Sequence, residues 1–161
     1  MGDIKLIRID SRLIHGQIIT NWVHKMGVNN ILIVDDQLAQ DDFMKDIYVM
    51  AAPPGMPVKV YSAEDAVSIW EPKEKALGNW LILFKDVKTA MSLHEKGFRM
   101  EKIQIGGLPS GPGRKIVYKT IALGEDDFRD LDRLSADGIE VTIQMLPEEE
   151  CIPYEKVKKK L

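Results

Sequence analysis

The sequence predicts an α/β fold: a single domain with a mainly parallel central sheet, flanked by helices on both faces. Three observations lead there. Short apolar runs alternate with longer amphipathic segments along the whole chain. Several of those runs are apolar throughout, the pattern of strands buried on both faces. Glycine, proline and acidic turn signals separate them at close intervals. Parallel neighbours need crossovers, and right-handed helical crossovers cover both faces of a sheet. With 161 residues, 45% of them hydrophobic and 29% charged, the chain has enough apolar material for one globular core. No linker, repeat or low-complexity stretch divides residues 1–161.

Ile4 to Ile9 reads as the first strand, with a loop from Asp10 to Leu13. From Ile14 to Met26 the apolar residues Ile14, Ile18, Trp22 and Met26 recur every four positions, predicting a helix that Gly27 stops. Ile31 to Val34 is a fully apolar second strand, closed by Asp35 and Asp36. A helix is expected from Ala39 to Ala52, ended by Pro53, Pro54 and Gly55. Pro57 to Tyr61 is the third strand, and Ser62 caps a helix running to Trp70. Trp80 to Phe84 is the fourth strand, Val87 to Lys96 the helix after it, and Ile103 to Ile105 the fifth strand. The Gly/Pro-rich stretch from Gly106 to Gly113 reads as a loop. Two short strands, Ile116 to Tyr118 and Thr120 to Leu123, precede a helix from Glu125 to Ala136, whose acidic first turn suits the helix dipole. Ile139 to Met145 alternates as a last strand. Pro153 to Leu161 is a short basic helix or a frayed end, and Lys156 to Lys160 reads as solvated.

Composition narrows the function classes. A formal net charge of −3 gives no global attraction for nucleic acid. Cys151 is the only cysteine, so neither an intramolecular disulfide nor a cysteine-based metal cluster is available, and a partly buried thiol is expected. The first ten residues lack an apolar signal-peptide core, and no apolar run approaches the roughly 18 residues of a membrane span. These features predict a cytoplasmic protein that does not itself span a membrane.

In open parallel sheets chemistry gathers where strands end and helices begin. The first such junction carries Arg8, Asp10, Arg12, His15, Gly16 and Gln17, the densest chemical constellation in the chain. A histidine there can attack a phosphoryl group with an imidazole nitrogen, while helix-start N–H groups hold the phosphate oxygens. Arg12 can add a bidentate contact. Asp10 can hydrogen-bond the non-reacting imidazole nitrogen or orient Arg12, and Gly16 leaves room for close approach. On the residues alone a second reading stands beside this one: a capping histidine next to an Arg8–Asp10–Arg12 ladder of solvated ion pairs.

Other positions read more plainly. Asp35 and Asp36 lie at the end of the second strand and, together with Arg8, are placed at the rim of the pocket, with helix-start dipole partnership the simpler role for the two aspartates. His24 lies about two and a half turns beyond His15, so it points elsewhere. Neither it nor His94 has metal-ligand spacing with another His or Cys, and no metal site is expected. Lys85–Asp86 is a helix-start charge pair, and Gly106–Gly107 a partner-facing loop without the Lys-Ser/Thr of a P-loop. Trp22, Trp70 and Trp80 are core or half-buried aromatics. A histidine phosphatase would place arginine directly before His-Gly, where this chain has Ile14. A receiver module would carry an aspartate after the third strand, where Tyr61–Ser62 stands. A plain interaction protein would leave the first loop unexplained.

The stretch Arg8-Ile-Asp10-Ser-Arg12-Leu-Ile-His15-Gly16-Gln17 strongly resembles the signature R-x-D-x-R-L-I-H-G-Q. That signature belongs to the mannose/fructose/sorbose-family IIB subunits of the bacterial phosphoenolpyruvate-dependent sugar phosphotransferase system. The segments IVDDQLAQDDFMKDIYVMAAPPGMPVKVYSAEDA, IGGLPSGPGRK and DGIEVTIQMLP resemble later parts of the family in the same order. SGPG at Ser110 to Gly113 departs from the bulkier or charged residues common there.

The resemblance implies a phosphocarrier enzyme, a protein-N(pi)-phosphohistidine–sugar phosphotransferase. His15 would accept a phosphoryl group from a phosphorylated IIA protein. It would then pass the group to a hexose-type sugar entering through the membrane IIC and IID subunits. Arg12 matches the family's phosphate-stabilising arginine and Asp10 the acid beside it. No metal or organic cofactor is implied. Peripheral association with the membrane transporter is expected, with the donor a separate protein because no IIA domain precedes this one.

Overall fold

The computed structural model describes residues 2–70 and 78–159, without the side chain of Trp70. The chain opens with β1 (Gly2–Asp10), then α1 (Gly16–Met26), β2 (Asn30–Val34), a 3₁₀ turn at Leu38–Gln40, α2 (Asp42–Ala51) and β3 (Val58–Tyr61). It continues through α3 (Ala63–Trp70), β4 (Gly78–Phe84), α4 (Val87–Glu95), β5 (Lys102–Gly107), β6 (Arg114–Tyr118) and β7 (Ile121–Gly124). The last elements are α5 (Glu125–Ala136), β8 (Glu140–Ile143), β9 (Ile152–Pro153) and α6 (Tyr154–Lys158). Among the described residues the main sheet runs β3-β2-β4-β1-β5-β8-β9, and β6 pairs with β7 in a separate antiparallel ribbon. Every neighbour pair in the main sheet is parallel except β8–β9.

The sheet separates two apolar clusters, as the expected helix-covered architecture requires. On one face Leu13, Ile14, Ile19 and Val23 at the start and along α1 pack on Ile31, Ile33, Leu81 and Leu83, with Tyr48 of α2 beside them. On the other, Ala63 and Ala66 of α3, Val87 and Met91 of α4, and Leu131 and Leu134 of α5 cover Ile7, Ile9, Ile82 and Ile105. At about 25 cal/mol per Å² of apolar area, each fully buried Ile or Leu contributes roughly 1.5–3 kcal/mol. The two-sided burial of β1, β2 and β4 is therefore the main hold on the fold.

Several boundaries differ from those the sequence predicts, each for a local reason. The helix expected over Ala39–Ala52 is interrupted, because Asp41 accepts a hydrogen bond from Met44 N at 3.1 Å and caps a fresh helix at Asp42. β5 runs on through Gly106 and Gly107, both read as loop from their glycines. The last strand of the parallel set ends at Ile143 rather than Met145. The C-terminal segment is packed, not frayed: Tyr154 and Val157 of α6 are buried, and Tyr154 donates to Asp132 Oδ1 at 2.9 Å. Burial and the neighbouring Asp132 push the Tyr154 hydroxyl well above the ordinary tyrosine range. Cys151 is exposed, correcting the partly buried thiol expected there. Trp22 and Trp80 are buried as expected, and the side chain of Trp70 lies outside the described residues. Among the described residues no helix is long and apolar enough to cross a membrane.

Candidate functional site at the carboxyl end of the first strand

β1 lies inside the sheet, with β4 on one side and β5 on the other, so its carboxyl end projects from the middle of the sheet edge. The chain then turns sharply. Leu13 N donates to Asp10 O at 2.9 Å, and Ser11 N donates to Gly107 O at 2.9 Å, tying the turn to β5. Leu13 adopts a left-handed φ of 55° while its side chain is buried, an uncommon conformation for a large residue. Gly16 takes φ 50° as α1 begins, with open space where a Cβ would stand. His15 is thereby the N-cap residue of α1, yet its side chain makes no capping bond. The imidazole is turned instead toward Asp10.

Asp10 is the centre of the arrangement. Its carboxylate accepts from Arg12 N at 3.0 Å and Arg12 Nε at 3.2 Å on Oδ1, and from Arg12 Nη2 at 3.3 Å on Oδ2. His15 Nε2 lies 2.8 Å from Oδ2. Arg8 Nη2 approaches the same oxygen at 3.6 Å. Burial alone would raise the Asp10 carboxyl, but the side-chain and backbone hydrogen bonds from Arg12, together with His15, outweigh it and hold the carboxyl below its usual range. Exposure grades outward across the group: the Asp10 side chain is 0% exposed, His15 18% and Arg12 50%. A reacting group arriving from solvent meets Arg12 and His15 and never touches Asp10.

Arg8, expected at the pocket rim, is wholly buried behind Asp10. Burial pulls its guanidinium down to about 10, with Asp10 opposing, so it stays a cation at neutral pH. It donates to Gln104 Oε1 and to the backbone carbonyls of Gln144 at 2.9 Å and Met145 at 3.0 Å. Trp22 covers it, with the ring centroid 5.3 Å from Cζ, and the indole N–H donates to Met145 O at 3.0 Å. Gln104 is a member of this cluster that local sequence pattern around the first strand does not point to. Its signal is a lone polar side chain between Ile103 and Ile105 in a strand otherwise apolar at its centre.

Asp35 and Asp36 are spent locally. Asp35 Oδ1 accepts from Leu38 N at 2.9 Å, and Asp36 Oδ1 accepts from Ala63 N at 2.8 Å, holding the starts of the 3₁₀ turn and of α3. Among the described residues no hydrogen bond or ion pair joins either one to Asp10, Arg12 or His15. His24 is exposed in the last turn of α1, and His94 pairs with Asp137 at 2.7 Å. Asp86 caps α4 through Thr89. Among the described residues no group of three or more His, Cys, Asp or Glu side chains is placed to hold a metal ion.

The fold and this cluster define an α/β protein with an Asp–Arg–His site at the carboxyl end of a central parallel strand. Residues 4–161 match the family model for the sorbose-subfamily IIB component, and the chain belongs to that family. It is 31% identical over 146 residues to the sorbose-specific EIIB component of Lacticaseibacillus casei, covering 89% of this chain and 87% of the relative. Among solved structures it superposes on manxB from Thermoanaerobacter tengcongensis with a TM-score of 0.93 at 38% identity, over 99% of this chain and 97% of that one. The IIBSor domain of the sorbose permease from Klebsiella pneumoniae gives 0.91 at 27% identity, over 98% and 97%. The mannose/fructose/sorbose IIB resemblance and the mainly parallel sheet are thus both established, with sugar transport and phosphotransfer as the general role.

Proposed function

We propose that His15 carries the phosphoryl group, accepting it from a phosphorylated IIA protein and delivering it to a sugar entering through membrane IIC and IID subunits. The observation that carries this reading is the 2.8 Å contact between His15 Nε2 and Asp10 Oδ2. It engages one ring nitrogen as donor and leaves Nδ1 with its lone pair as the nucleophile. Nδ1 attacks the donor phosphorus, the donor's P–N bond breaks, and the electron pair leaves with the donor imidazole. Arg12 offers its remaining N–H donors to the equatorial oxygens, and the uncapped start of α1 offers backbone N–H groups, the two means of positioning and charge stabilisation that such transfer needs. In the second step the sugar hydroxyl oxygen attacks the same phosphorus, its proton is released to solvent, and Nδ1 departs with its pair.

This makes the chain a protein-N(pi)-phosphohistidine–sugar phosphotransferase that needs no cofactor, works in the cytoplasm and associates with the membrane only through its transporter partners. The test is intact-mass analysis after incubation with phosphoenolpyruvate, the general phosphotransferase proteins and a cognate IIA. One acid-labile, alkali-stable phosphoryl group is expected on wild type and none on His15→Ala. An unmodified wild type beside a fully phosphorylated IIA overturns the reading.

A further inference from the structure

We propose that Arg8 is a positioning residue for phosphoryl transfer: its buried guanidinium anchors Asp10 to the segment after β8 and so fixes the carboxylate that orients His15. The inference rests on the carrier role of His15, and it assigns a task to a residue that no incoming group can reach.

A fully buried arginine is a costly choice inside a sheet, and apolar substitutes for buried charges are often neutral or stabilising. Ile7 and Ile9 on either side show what a purely structural position on this strand holds. Arg8 instead sits on the face of β1 that carries α1, directly beneath the reactive loop. Its Nη donors go first to uncharged acceptors: the Gln104 side chain and the carbonyls of Gln144 and Met145. Only then does Nη2 approach Asp10 Oδ2, at 3.6 Å, longer than the 2.8 Å from His15 and the 3.3 Å from Arg12 to the same atom. The guanidinium is therefore a fixed cation behind the carboxylate that leaves its lone pairs to His15 and Arg12.

Its immobility is built in from two further sides. Trp22 lies across it and shares the Met145 carbonyl with it. At Gly106 an added Cβ would overlap Arg8 Cζ, Nη2 and Nε, so only glycine leaves the guanidinium its place. Gln144 in turn holds its own segment by donating to the carbonyls of Leu146, Pro147 and Glu149. The chain of contacts runs from that segment through Arg8 to Asp10 and ends on the imidazole.

The experiment compares wild type with Arg8→Met, Arg8→Lys and Gln104→Leu in the full chain. Nitrogen NMR of the His15 imidazole reports the tautomer without any phosphoryl donor, and rapid-quench transfer from a phosphorylated IIA reports the rate. Wild type is expected to hold the Nε2–H tautomer. Arg8→Met is expected to give a tautomer mixture and about a tenfold or larger fall in maximal transfer rate, with the KM for the donor unchanged. Arg8→Lys is expected to restore part of the rate, since it keeps the charge and loses the fork. Gln104→Leu leaves all three charges in place and is expected to shift the tautomer in the same direction, which keeps the test decisive if Arg8→Met does not fold. Wild-type tautomer and rate in folded Arg8→Met or in Gln104→Leu overturn the proposal. A wild type that accepts no phosphoryl group, with the tautomer response intact, overturns the carrier reading instead.

Discussion

His15 Nε2 stands 2.8 Å from Asp10 Oδ2, and the two residues are exposed to very different degrees, 18% against 0% at their side chains. On the proposed carrier role, the buried partner sets the geometry while the half-buried one meets the reactant. This division of labour makes Asp10→Asn an informative change. Asparagine retains the shape but presents an amide that can turn either its oxygen or its NH₂ toward the ring. Phosphoryl acceptance is expected to fall by about a hundredfold or more, within the range general for loss of a tautomer-fixing carboxylate. Rapid-quench kinetics with a phosphorylated donor measures it, and an unchanged rate would remove Asp10 from the mechanism.

The same carboxylate gives stability a pH dependence of known sign. The Asp10 carboxyl is held below its ordinary value in the folded chain. It therefore contributes stability that is fully present above the unfolded carboxylate pKa of about 3.9 and is lost as pH falls through the lower folded value. Denaturation midpoints between neutral pH and pH 3 are expected to fall more steeply for wild type than for Asp10→Asn. Parallel curves for the two proteins would contradict it.

Arg12 is half exposed, so its replacement tests chemistry with modest cost to folding. Arg12→Lys keeps a cation but not the planar fork that spans both oxygens of Asp10. The expected stability loss is about 0.5–1.5 kcal/mol, because the cation stays while the fork's hydrogen bonds to the buried Asp10 are weakened. The transfer rate is expected to drop about tenfold, because a point charge replaces a bidentate contact. A lysine variant with full transfer rate would show that charge alone suffices.

Gly106 and Gly107 separate two kinds of damage. At Gly106 a Cβ collides with the buried Arg8 head, and Gly106→Ala is expected to destabilise the fold by about 1–3 kcal/mol through overpacking. At Gly107 a Cβ would stand 2.9 Å from Asp10 Oδ1 and 3.0 Å from Arg12 Nη2, the carboxylate and the cation beside His15. Gly107→Ala is expected to impair transfer more than stability. Urea denaturation beside transfer kinetics distinguishes the two, and equal effects at both positions would contradict the assignment.

The cluster was legible in the sequence where its contacts are local. Asp10, Arg12 and His15 lie within six residues, so one strand-to-turn junction delivers all three and their mutual hydrogen bonds. Arg8 reads as a rim residue because its partners are invisible locally: Gln104 is 96 residues away, and the carbonyls of Gln144 and Met145 are 136 and 137 away. The same distinction holds for the fold. The strands of the parallel set announce themselves by apolar runs, whereas β9 has two residues and owes its pairing to the register of β8. Gly106 and Gly107 read as loop because glycine usually marks one; here the missing side chains make room for guanidinium and carboxylate.

The packing of two guanidinium groups around one carboxylate leaves the region beside His15 with a surplus of one positive charge while the imidazole is neutral. A phosphoryl group on Nδ1 carries close to two negative charges, but the ring that keeps its Nε2 proton becomes cationic, so the net gain of one negative charge cancels that surplus. Loaded and unloaded forms of the protein would then differ at the same spot, one neutral and one positive overall, and the change of charge itself requires no movement of the backbone. A partner with local negative charge can tell the two forms apart, because the net attraction is present only for the unloaded one.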